Sequence, residues 1–144
     1  MKKYLLIMST VYLMSSNAFG EGLGRITADI KGIKEKFGSA IICFIFDSKN
    51  GFLQESKALQ IMDAKKNQAG FYCEFDVPMN KEYAIAALQD ENGNRMLDKS
   101  FIGAPTEGWG SSNNVTHTFR SPDFEESTVL LKDKALTLIL NMHY

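Results

Sequence analysis

The sequence predicts an all-β protein, a single antiparallel β-sandwich of about seven strands, immunoglobulin-like or prealbumin-like in plan. Three observations carry that expectation. Apolar and polar residues alternate with period two over most of the chain, as in strands that bury one face. Clusters of Gly, Asn, Asp and Ser separate these runs at short intervals. No window sustains a helical period, and the sole helical cue is one turn near residue 122, where Ser121-Pro122-Asp123 sets a proline at the first helical position.

Residues 1–20 read as a targeting segment. Lys2 and Lys3 precede an apolar stretch from Tyr4 to Met14, and Ala18-Phe19-Gly20 is a small-x-small cleavage pattern. The apolar stretch, broken by Ser9 and Thr10, is short for a membrane span. We expect a signal peptide removed after Gly20, no lipid anchor because no cysteine follows the cut, and no transmembrane segment. The expected location is therefore the periplasm or the extracellular space.

Residues 21–144 are the size of one domain and long enough to bury a core. Ile26, Ala28 and Ile30 alternate in a first strand. A second, residues 39–47, is apolar on both faces from Ala40 to Phe46, which suits a central place in a sandwich. Asp47-Ser48-Lys49-Asn50-Gly51 then turns the chain, and Ala58–Met62 reads as an edge strand or a short helix. Phe71, Cys73, Phe75 and Val77 alternate in the next strand, and Tyr83–Leu88 forms another that ends at Asp90. Leu136, Leu138, Leu140 and Met142 share one face of the last strand.

Charge and cysteines narrow the class further. The chain has 16 basic residues; without Lys2 and Lys3 there remain 14 against 17 acidic ones, a net charge of −3. Mild acidity with scattered lysines argues against nucleic acid, whose binding needs clustered cations. Cys43 and Cys73 are the only cysteines, in a chain bound for an oxidising compartment. A disulfide between adjacent strands is expected, the alternative being two buried thiols.

The segment from Asp90 to Asn114 concentrates turn formers and oxygen-bearing side chains. So long a loop in a small domain is ordinarily a site or is bound down by something. Asp90, Asn92, Asn94 and Asp98 sit at relative positions one, three, five and nine, with Gly93 allowing a tight wrap, an arrangement suited to calcium. The match to an EF-hand loop fails at Arg95 and Phe101, where that loop has glycine and a bidentate glutamate. Asx turns around Asn92-Gly93 explain the same residues without an ion, so both readings stand. Further on, Glu107, Trp109, Asn113 and Asn114 are candidate contacts for a ligand or partner, an envelope protein or a glycan. Trp109, the single tryptophan, would either stack on a sugar or cover the open end of the sandwich.

The runs AALQDENGNRMLD, FIGAPTEGWGSSNN, SPDFEES and LTLILNMHY, in that order, resemble a family of secreted bacterial proteins classed only as a domain of unknown function, DUF2141. The resemblance covers essentially all of the chain after residue 20 and implies a small β-sandwich with no assigned activity. Gln89 stands where the family pattern usually has His, and Arg95 where it usually has Gly. Any role resting on that imidazole is absent here, and the turn at Arg95 is expected either to differ slightly from the family's or to carry some strain.

No catalytic residues are assigned. His117 and His143 are the only imidazoles, and the chain has no G-x-S-x-G, H-E-x-x-H or C-x-x-C. The leading expectation is a secreted or periplasmic non-catalytic module with the 90–114 loop as a binding or calcium-stabilised face. The alternatives are a small envelope hydrolase, which requires Asp98, Glu107 and His117 to converge, and a purely structural domain.

Overall fold

A computed structural model describes residues 22–36 and 38–144. The expected signal peptide lies outside the described residues. Among the described residues nine strands form two facing sheets, two more strands than the alternation alone indicates.

The first sheet holds β1 (Leu23–Lys31), β4 (Lys65–Asn67), β5 (Gly70–Pro78) and β9 (Ala135–Asn141), in the order β4-β5-β1-β9. β1 pairs antiparallel with β5, Ile26 opposite Phe75 and Ala28 opposite Cys73. Its other neighbour, β9, runs parallel to it, so the sandwich is not purely antiparallel. The β4 edge carries Lys65 and Lys66, whose ammonium groups lie over the rings of Tyr72 and Phe71. Lysines on an edge strand discourage pairing with another chain.

The second sheet holds β2 (Ala40–Phe46), β3 (Gln60–Asp63), β6 (Lys81–Asp90), β7 (Gly108–Ser111) and β8 (Thr128–Leu131). Its order is β3-β2-β6, and two short strands share the far edge of β6. β8 pairs with residues 81–84 and β7 with residues 86–89. Ile85 falls between them, and its N–H donates instead to Ser112 Oγ at 2.9 Å. Ser112, fully buried, thus supplies the acceptor that neither strand can offer at that gap.

Between the sheets lie Ile26, Ile30 and Phe75 from one side and Ile45, Tyr83 and Ile85 from the other, all at most 2% exposed. Each side chain of this size contributes about 1.5–3 kcal/mol by leaving water. Cys43 on β2 and Cys73 on β5 form a disulfide. It spans the core between the two sheets, whereas the sequence suggested neighbouring strands of one sheet. Alternation set Cys73 on the apolar face of its strand, but β2 is apolar on both faces, so the pattern left open which way Cys43 points and how the strands pair.

The second sheet is apolar on its other face too. Ile42, Phe44, Phe46, Ala86 and Leu88 form a separate cluster under Phe52, Leu53, Leu97 and Phe124. Phe46 meets Phe52 edge-on at 5.3 Å, and Phe52 meets Phe124 at 5.6 Å. The two-faced apolar pattern of β2 therefore reflects loops folded over the outside of the sheet as well as the sandwich core. The helix α1 (Phe124–Ser127) begins later than the sequence indicates. Asp123 is its N-cap in a capping box with Glu126, so Pro122 precedes the cap and does not occupy the first turn.

Candidate functional site

The segment after β6 is a closed polar rail. Asp90 is buried, and its two carboxylate oxygens accept from the N–H groups of Gly93 at 2.8 Å and Arg95 at 3.0 Å. Asn92 Oδ1 accepts from Asn94 N–H, and Asn94 Oδ1 from Met96 N–H, two successive Asx turns. The amide groups of Asn92 and Asn94 both donate to the Asp98 carboxylate, Asn94 at 3.0 Å. Asn92, Asn94 and Asp98 are therefore brought together, while Asp90 is spent on the backbone of the same turn. Among the described residues no group of three or more His, Cys, Asp or Glu side chains is disposed to hold a metal.

Glu107 clamps the two ends of the rail. It is buried, and its oxygens accept from the N–H groups of Glu91 at 2.8 Å and Asp98 at 3.2 Å. A buried carboxylate with two charge-assisted bonds holds the chain firmly. Between Asp98 and Glu107 the chain makes a small hairpin, with Ser100 N–H to Ala104 O at 2.8 Å and Thr106 N–H to Asp98 O at 2.9 Å. Its tip presents Phe101 and Ile102 to solvent, 101% and 74% exposed.

Trp109 lies in β7, not on a loop. The two flanking glycines explain why the strand can sit there: a Cβ on Gly108 would meet the Tyr144 ring at 2.4 Å, and one on Gly110 would meet Leu140 at 2.3 Å. The backbone of Trp109 exchanges hydrogen bonds with His143 at 3.0 and 2.7 Å, and its ring lies 5.5 Å from the His143 ring. Opposite Leu88, it faces the outside of the second sheet. Asn113 donates to the carbonyls of Glu126 and Thr128. Asn114 both donates to Ile139 O and accepts from Asn141 N–H. Of the four contact candidates, Glu107, Asn113 and Asn114 thus pin backbone, and Trp109 alone lines open space.

Gln89 is fully buried and equally occupied. Its amide donates to Lys34 O at 2.7 Å and to Ser39 Oγ at 3.0 Å, and its carbonyl accepts from the Tyr144 hydroxyl. The Tyr144 oxygen in turn accepts from Lys34 N–H. This side chain ties the 33–39 connection and the C-terminus to β6.

The remaining feature is one the sequence disclosed only in part. A cavity of about 780 Å³ opens on the outer face of the second sheet. The sheet contributes Phe44, Phe46, Ala86 and Leu88; the 96–105 hairpin contributes Leu97 and Ile102; a strap at 117–122 contributes Phe119. An adjoining cavity of about 610 Å³ shares Leu53, Lys99 and Arg120 with the first. The hairpin is fixed to the 48–59 connection by Leu97 N–H donating to Glu55 Oε1 at 3.1 Å. The strap is fixed by Glu126, which takes two bonds from Arg120 at 2.7 and 2.9 Å and two contacts from His117 Nε2 at 3.0 and 3.1 Å. Arg120 foremost, then the Asp123 N–H and His117, hold the Glu126 carboxyl well below the usual carboxylate range.

Asp98, Glu107 and His117 do not converge. Asp98 answers to Asn92 and Asn94, Glu107 to backbone, and His117 to Glu126. The signal for the cavity was present in part, as the second apolar face of β2 and the apolar residues Phe101, Ile102 and Phe119 inside otherwise polar loops.

An all-β sandwich with a clamped polar loop after β6 is the class of protein these features define. Residues 28–138 match the family described as an uncharacterised protein conserved in bacteria, DUF2141. The chain belongs to that family. No curated protein matches it.

Proposed function

We propose that this chain is an exported, non-catalytic β-sandwich module that binds an apolar ligand on the outer face of its second sheet. The observation that carries the reading is the cavity of about 780 Å³ there, floored by Phe44, Phe46, Ala86 and Leu88. Its volume falls within the roughly 300–1,000 Å³ of small-molecule sites, which are mostly apolar. Export rests on the leader pattern in residues 1–20, and the disulfide fits an oxidising compartment. The polar rail then serves to hold the hairpin that forms one wall. A titration with N-phenyl-1-naphthylamine, a neutral apolar dye, tests it. Saturable one-to-one enhancement, lost in Ala86→Phe, is expected; a linear, unsaturated response would reject a binding cavity.

A second reading is favoured by the convergence of Asn92 and Asn94 on Asp98. Asp90, Asn92, Asn94 and Asp98 offer oxygens along one wrap, the ligand type that calcium takes. An ion there would replace the two amide donors on the Asp98 carboxylate, with the amide oxygens turned inward. Ligand binding to the folded state alone adds about 2.7 kcal/mol of stability at a hundred times Kd. Calcium should accordingly raise the thermal midpoint, and Asp98→Ala should abolish the rise. An unchanged midpoint in saturating calcium would leave the turn as a purely hydrogen-bonded one.

A further inference from the structure

The mouth of the cavity has a chemistry of its own. Ile102 and Phe119 line it yet are 74% and 98% exposed, and Phe101 beside them is wholly exposed. Apolar side chains left in water around a cavity mark an interaction site, because covering each would contribute about 1.5–3 kcal/mol. Two cations stand at the same place. Arg120 is already engaged by Glu126 and Asp123. Lys99 borders both cavities, and among the described residues no ion pair or hydrogen bond engages its ammonium group. The acid that lines the main cavity, Glu55, accepts from the Leu97 N–H.

An apolar floor, apolar lips and one uncommitted cation form a definite combination. Resting on the reading of the cavity as a binding site, we infer that its ligand is a monomeric single-chain amphiphile with an anionic head, of the fatty-acid class. The alkyl chain enters between the open Ile102 and Phe119, passes Leu97, and reaches Phe44, Phe46, Ala86 and Leu88, which keep 2–8% of their surface exposed at the base of the cavity. The carboxylate meets Lys99 at the mouth, where both charges keep contact with water and neither bears a large desolvation cost. Ile102 and Phe119 close over the first carbons of the chain. A glycan fits less well, because hydroxyl groups against that floor would lose their hydrogen bonds to water without replacement.

Trp109 is the only tryptophan and lines the cavity, so its emission reports directly on occupancy. The chain lacking residues 1–20 is titrated with laurate, with hexanoate and with dodecyltrimethylammonium, which keeps the long tail and reverses the charge. Laurate should shift Trp109 emission with one-to-one saturation and displace N-phenyl-1-naphthylamine. Hexanoate should bind at least a hundredfold more weakly and the cationic amphiphile at least tenfold more weakly. Lys99→Glu should invert the preference between the two long-chain probes. Because Ala86→Phe changes a buried position, Ile102→Asp and Phe119→Asp provide exposed substitutions that weaken laurate without touching the core. Equal affinity for the two long-chain probes would overturn the anionic head. Dye binding that laurate does not displace would overturn the ligand class and leave the cavity as a binding site, whereas no saturable dye binding would remove both. Association with phosphatidylglycerol vesicles without binding of monomeric laurate would also overturn it, in favour of a membrane surface.

Discussion

Arg95 occupies left-handed backbone, with φ of +62°, within a turn that also holds Gly93 at +81°. That conformation brings Cβ close to the following carbonyl and costs a non-glycine residue about 1–2 kcal/mol. The N–H of Arg95 is one of the two that Asp90 binds, so the turn cannot relax without losing a bond to a buried carboxylate. Its guanidinium meets Asp63 at 2.9 Å, but both side chains are more than half exposed, and such pairs are worth about 0–1 kcal/mol. The comparison of two substitutions isolates the backbone cost, because both delete the ion pair. Arg95→Gly should be more stable than Arg95→Ala by about 1 kcal/mol in urea melts, glycine alone being free of the strain. Equal stability of the two variants would mean that the turn is not strained at this residue. The strain itself was legible in the sequence, as an arginine where the loop wants glycine. The fate of Gln89 was not: nothing in its neighbours indicates that Lys34, Ser39 and Tyr144, distant in sequence, will satisfy a fully buried amide.

The strap from His117 to α1 shows what an element owes to one side chain. Glu126 caps the helix by accepting from the Asp123 N–H at 2.9 Å and also receives Arg120 and His117. Its folded-state pKa is depressed by these partners, Arg120 first. A depressed carboxyl contributes stability that is fully present above the unfolded glutamate value near about 4.3 and is lost as pH falls through the folded value. Glu126→Gln preserves a side-chain acceptor for the cap and removes the charge. The gap in thermal midpoint between wild type and Glu126→Gln should therefore be widest at neutral pH and narrow on acidification below about pH 5. Parallel curves through the acid range would show that the carboxylate charge does not hold the strap. Ser121-Pro122-Asp123 signalled the helical turn, although Pro122 drew the expected start too early and the capping box with Glu126 went unread. β7 was not readable as a strand. Gly108 and Gly110 lower strand propensity, and only the close approach of Tyr144 and Leu140 makes glycine the residue that fits.

For the whole molecule, alternation along β1, β5, β6 and β9 sufficed to indicate two packed sheets. It could not give the parallel β1–β9 pair or the sharing of one edge by β7 and β8, since period two is blind to partner and direction. It also assigned both faces of β2 to the interior of the sandwich, when one face floors a cavity. The disulfide tests this division of β2 between two environments. Cys43 points inward to Cys73 across the core, whereas Phe44, the next residue, points to the cavity. Closing a loop over a sequence separation of 30 restricts the unfolded chain and is worth about 3.6 kcal/mol. In a domain of this size that amounts to a fall of about 14 °C in the thermal midpoint when Cys43→Ala and Cys73→Ala are combined. Because the bridge serves the inner face only, the double variant should still bind N-phenyl-1-naphthylamine with wild-type affinity well below its own midpoint. Loss of dye binding in a variant whose circular dichroism remains native would show that the two faces of β2 are coupled and that the cavity depends on the bridge. An unchanged midpoint, with or without reductant, would mean that the two sheets hold their packing without it.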